Sequence, residues 1–142
     1  MQMRIIEVIT IIIYGIVGVI SLIMAFKNMF AKNYLPFQEE AASLAWIKID
    51  YRLRSVILGL LRISGLGFLV TAMLLLFFPI ANYFVQNDFI KYSIPVISFI
   101  FCTGLCLVNY KLYKQTNSKT PWKGSLFAMI ALIVGLILSV LQ

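Results

Sequence analysis

Long uncharged apolar stretches divide this chain. Residues 9–26 carry no charged side chain, and Ile5 and Ile6 extend that stretch backwards. Residues 63–87 are uncharged again, led in by 55–61 and interrupted only at Arg62; residues 92–110 and 124–141 form the third and fourth stretches. A spanning helix needs about 20 mostly apolar residues. Each stretch is too long for a core helix of so small a chain, and none shows the alternation of a membrane β-barrel. The pattern predicts an all-α, single-domain membrane protein over residues 1–142, with spans at about 5–26, 55–82, 92–110 and 124–141. Short connections after the second and third spans make neighbouring helices antiparallel, an up-down-up-down four-helix bundle. Arg4 precedes the first stretch as in a signal peptide. The stretch is longer than a signal h-region and no small-x-small site follows Phe26, so it reads as an uncleaved first span.

The loop after the first span has a pattern of its own. Pro36-Phe37-Gln38-Glu39-Glu40 is a helix start, with proline early and acids where the helix dipole favours them. Ala41, Leu44, Ala45 and Lys48 then share a face, with Trp46 and Ile47 beside it. This predicts a short amphipathic helix over about 37–49 lying in the membrane interface, its tryptophan at headgroup level. Trp122, after Thr120-Pro121, has the matching position before the fourth span. Both tryptophans read as interfacial anchors, with ligand stacking the alternative role.

Composition agrees with the pattern. Hydrophobic residues make up 62% of the 142 and charged residues 12%, with a mean hydropathy of +0.98; soluble domains run at about 45–50% and about 25%. A soluble globular fold is excluded. The net charge of +7 adds orientation, because nine of the twelve Lys and Arg fall in two loops. Lys27, Lys32, Lys48, Arg52 and Arg54 follow the first span, and Lys111, Lys114, Lys119 and Lys123 follow the third. Only Arg4 and Lys91 flank the other side. The positive-inside rule puts Ser43 and Thr116 in the cytosol, and Asn87 and both termini outside. This is the arrangement expected of a multi-pass protein of a bacterial cytoplasmic membrane. These cations set topology and attract anionic lipid of the bilayer, each worth about 1 kcal/mol near the surface; nucleic acid is not the expected partner.

Candidate chemistry is sparse. With no histidine, imidazole metal sites and histidine-based triads are excluded. Glu39 and Glu40 are adjacent and point to different sides of a helix, so they make no acid–base pair. Cys102 and Cys106 lie one helical turn apart, about 5–6 Å between Cβ atoms, beyond the roughly 3.5–4.5 Å of a disulfide. They read as packing residues, and no metal or cofactor is expected. Pro95 is expected in the first turn of the third helix, and Pro79 is expected to end or kink the second. Small residues recur at helical spacing: Ala131, Gly135 and Ser139; Ser21 and Ala25 with Gly15 and Gly18 nearby; Ser55 and Gly59; Gly67 and Thr71. Such rows mark close helix contacts, within the bundle or, as the alternative, at a homo-oligomer or partner seam.

Arg62 is the charge inside a span, and a central arginine costs at least about 2.5–3.5 kcal/mol on insertion scales unless it snorkels. Gly59 and Gly65 flank it at three residues either side, a spacing that suggests a face turned into the bundle. An inward arginine needs acceptors. The expected ligand site is therefore Arg62 with Glu39 or Glu40 folded back over it and Gln38 and Asn109 nearby, open to a carboxylate or phosphate headgroup. A snorkelling anchor is the alternative.

Pro36-Phe37-Gln38-x-x-Ala41, Trp46, Leu58-Gly59-Leu60-Leu61-Arg62-x-x-Gly65-x-Gly67 and Thr120-Pro121-Trp122 resemble a group of uncharacterised small bacterial four-helix inner-membrane proteins. The resemblance, from about residue 34 onward, implies fold and membrane location only. Similar sequences often carry histidine where this chain has Gln38, which speaks against a proton or metal role there. Two functional classes follow: a binding or transport module for a small or lipid-like ligand near Arg62, or a non-catalytic accessory subunit of a larger membrane complex.

Overall fold

Each uncharged stretch becomes one continuous helix, because backbone groups in hydrocarbon must find partners within their own segment. The structure of the chain, a computed structural model, describes residues 2–85 and 88–141, and these form helices and turns without a strand. Helix α1 runs Gln2–Met29, α2 Pro36–Ala42, α3 Tyr51–Val85, α4 Asp88–Thr116 and α5 Trp122–Val140, with a 3₁₀ turn at Trp46–Lys48 between α2 and α3. Helices α1, α3, α4 and α5 are long and apolar enough to cross a membrane. Asn87, assigned above to the outer side, lies outside the described residues.

The helices outrun the stretches that announced them. At about 1.5 Å per residue, the 35 residues of α3 extend about 50 Å, well past a hydrocarbon core of about 30 Å. It continues through position 79 to Val85, so Pro79 does not end it. Helix α4 starts at Asp88, so Pro95 lies inside it rather than in its first turn. Nor is the segment 37–49 one helix. Ser43 adopts a left-handed conformation (φ 49°) and closes α2 after seven residues, and Ile49 is buried.

Helix α1 packs against α3 and α5, and α4 packs against the same two helices. Between α1 and α3 the contacts run in inverse order: Tyr14 meets Phe78, Gly18 meets Leu75 and Leu76, and Ala25 and Met29 meet Gly65. The centre is Tyr14, Val17, Leu75, Phe78, Cys102 and Leu132. Tyr14 is fully buried, sits edge-on to Phe78 at 5.2 Å and shares a 3.3 Å hydrogen bond with Ser139. Gly135 gives the Tyr14 ring its place: a Cβ there would stand 2.9 Å from the ring's Cζ. The row Ala131, Gly135, Ser139 is thus used within the bundle, whereas a Cβ added at Gly15, Gly59, Gly104 or Gly124 would meet no other side chain or helix within 4 Å.

Polar side chains in the spans mostly bond locally. Thr71 and Thr103 donate to the carbonyls of Gly67 and Phe99 one turn back, the usual accommodation of a hydroxyl in an apolar helix. Among the described residues, Asn28 Oδ1 and Ser98 Oγ are buried without a hydrogen-bond partner.

Candidate functional site

Both basic loops come together at one end of the bundle. Leu35, Pro36 and Phe37 of the first loop and Pro121 of the second line one small cleft with Met24, Lys27 and Asn28. Inside this end lies a much larger cavity of about 780 Å³, walled by all five helices. Its size falls within the roughly 300–1,000 Å³ of small-molecule sites.

The cavity follows from how α3 and α4 meet. They touch where Phe101 packs over Gly67, a Cβ on which would stand 2.9 Å from the ring, and beside Phe68 at 5.3 Å between rings. Towards the loops both helices line the cavity instead of each other, with Ile57, Leu60 and Leu61 on one side and Leu105, Val108 and Leu112 on the other. Leu60 and Val108 are 62% and 67% exposed while lining it, so the cavity also opens sideways between α3 and α4. Helix α2 lies across this end against α4. The side chain of Gln38 supports its first turn: Oε1 accepts the Leu35 N–H at 3.1 Å, half of a capping box.

The first loop is held from α3. Arg54 donates to the carbonyls of Ile49 (2.8 Å) and Ile47 (2.6 Å), and its guanidinium stands 5.8 Å from the Trp46 ring centre. Trp46 is edge-on to Tyr34 at 4.8 Å. Trp122 lies against Tyr110 and Tyr113, and Thr120 ties the second loop to α4 through the Asn109 carbonyl (2.9 Å). Neither tryptophan lines the cavity.

Of the expected ligand residues, Gln38 and Asn109 line the cavity. Arg62, Glu39 and Glu40 do not; all three are exposed. The inward reading of Arg62 is thus corrected, and the reason is angular. Residues six apart on a helix are about 120° apart in projection, so Gly59 and Gly65 cannot face the same neighbour. Only Gly65 meets α1. The buried stripe of α3 is Leu61, Gly65, Ala72 and Leu75; Arg62 lies about 100° from Leu61, beside the exposed Ile63, Leu66 and Met73. It lies on the outer face of the helix.

The sequence reading missed Ser21, Asn28 and Ser64, all on the cavity wall. Asn28 is 4% exposed and its Nδ2 donates to Ser64 Oγ at 3.4 Å. The seven-residue spacing of Ser21 and Asn28 puts them on one helix face, a signal available in the sequence once α1 is taken to run past Phe26. Among the described residues, no Asp, Glu, Lys or Arg lines the cavity. Cys102 does, with a free thiol. Among the described residues no three His, Cys, Asp or Glu side chains gather as a metal site. Comparisons with protein-family models, with curated proteins and with solved structures return no match to this chain.

Proposed function

We propose that this chain is an up-down-up-down four-helix protein of a bacterial cytoplasmic membrane that holds a small, lipid-like amphiphile at its cytosolic end. The observation that carries this reading is the cavity of about 780 Å³ at the end bearing both basic loops. Its wall is apolar along α3, α4 and α5 and polar at a few points, and it opens sideways between α3 and α4, as entry from a bilayer leaflet requires. The positive-inside rule turns this end to the cytosol, with both termini outside. On this reading the loop cations and the exposed Arg62 hold anionic headgroups around the mouth. The short α2 and the turn at Trp46–Lys48 lie in the interface, with Trp46 and Trp122 as anchors.

Native mass spectrometry after mild detergent extraction tests it. A retained amphiphile of defined mass supports binding; release of bare chain under conditions that preserve the fold contradicts it. A second reading, an accessory subunit or homo-oligomer, is favoured by one feature: Gly15, Gly59 and Gly104 leave open positions on outer helix surfaces where another helix could approach. The same spectrum distinguishes it, since a partner chain or a second copy would be retained in place of an amphiphile.

A further inference from the structure

A cavity surrounded by nine cations at its own end of the bundle would, on charge alone, be expected to take an anionic amphiphile. The wall says otherwise. Among the described residues no formal charge lines it, although Lys27 borders the adjoining cleft of about 150 Å³. An ionic head drawn inside would lose its hydration with no counter-charge to replace it, which is the most expensive form of polar burial.

Among the described residues of the wall, Asn28 is the one with a fully buried side-chain atom that lacks a hydrogen-bond partner. Asn28 borders both the cavity and the cleft, is 4% exposed, and spends one end of its amide on Ser64. The other end, Oδ1, has no partner. Turning the amide over exchanges oxygen and nitrogen, and one end is still bonded to Ser64 while the other is unmatched. A hydroxyl both donates and accepts, so it satisfies Asn28 in either orientation. A carboxylate or a fully ionised phosphate, which only accepts, satisfies only one, and an ammonium only the other.

We infer that the cavity selects amphiphiles with an uncharged, hydroxyl-bearing head, and that Asn28 reads that head. This rests on the cavity being an amphiphile site. Oδ1 is itself covered, so Asn28 must rotate its amide before that end meets a hydroxyl among Ser21, Ser64 and Gln38, which line the same space. The cations at the mouth then concentrate lipid at the entrance without deciding what enters.

The test uses the full chain in phosphatidylcholine nanodiscs with a diazirine-bearing monoacylglycerol as photoprobe. Unlabelled monooleoylglycerol, oleyl phosphate and oleylamine compete, and labelled peptides are mapped by mass spectrometry. Labelling on the cavity segments of α3 and α4 is expected, with monooleoylglycerol competing at least about fivefold more strongly than either charged analogue, the worth of one hydrogen bond. Asn28→Leu is expected to remove that preference while labelling persists. Asn28→Asp, nearly isosteric, is expected to shift it towards oleylamine, and it decides the matter if Asn28→Leu fails to fold. Equal or stronger competition by oleyl phosphate, or an unchanged preference in the Asn28 variants, overturns the inference and leaves the amphiphile site intact. Absence of labelling in the cavity by the monoacylglycerol and by matched diazirine probes with phosphate and amine heads overturns the amphiphile site itself.

Discussion

Gly135→Ala is the sharpest test of the bundle's packing. The added methyl meets the Tyr14 ring, whose Cζ stands 2.9 Å from the new Cβ. Tyr14 has no free side to retreat to, being fully buried against Phe78 and bonded to Ser139. Overpacking of this kind costs about 1–3 kcal/mol, and a stretched Tyr14–Ser139 bond adds about 0.5–1.5 kcal/mol. Alanine's better helix propensity returns about 1 kcal/mol at most. The expected net effect is a loss of about 1–3 kcal/mol. Gly15→Ala is the matched control, since nothing lies within 4 Å of its Cβ; it should be neutral or slightly stabilising. Equilibrium unfolding in mixed micelles of increasing dodecyl sulfate, followed by tryptophan emission, measures both. A double-mutant cycle with Tyr14→Leu should recover at least about 1 kcal/mol, because removing the ring removes the clash. If Gly135→Ala is as stable as Gly15→Ala, the packing of α1 on α5 is not as described.

Other outcomes follow from the loops and the outer surface. Arg54→Ala should cost the loop about 1.5–3 kcal/mol of local stability, the worth of charged hydrogen bonds to the Ile47 and Ile49 carbonyls; faster protease cleavage within residues 43–50 and a red-shifted Trp46 emission would show it, with Arg54→Lys intermediate. Arg62→Leu should leave unfolding stability within about 0.5 kcal/mol, as at other exposed positions, and should leave amphiphile retention unchanged; a loss of retention would return Arg62 to the site. In a background without Cys102 and Cys106, cysteines at positions 43 and 116 should resist a membrane-impermeant thiol reagent on whole cells, while one at position 89 should react. The opposite pattern would invert the orientation.

What was legible in the sequence was whatever depends on long runs. Four uncharged stretches place four helices, and the density of lysine and arginine groups the two loops at one end. Faces were harder to read. Gly59 and Gly65 look alike in sequence, yet six residues of helix turn them apart, and only Gly65 is covered. That angle decided where Arg62 went. Helix ends are less legible for a related reason: charged and polar residues look like stops in sequence, whereas a helix can run on into the interface with its polar groups solvated. Ending the first span at Phe26 put Asn28 in a loop; in the structure it is buried in the last turn of α1. The loop helix was read too long, because Ser43 carries no mark in sequence that it closes α2 in a left-handed conformation.

The central claim is that the cavity at the basic end holds an amphiphile, and filling the cavity tests it most directly. Ser125 lines the space on α5, whereas Val134 on the same helix is exposed on its outer surface. Native mass spectra of the unmodified chain and of Val134→Trp should show the same retained amphiphile, and Ser125→Trp, equally well folded, should have lost it. Equal retention in Ser125→Trp would show that whatever amphiphile the protein carries is held somewhere else.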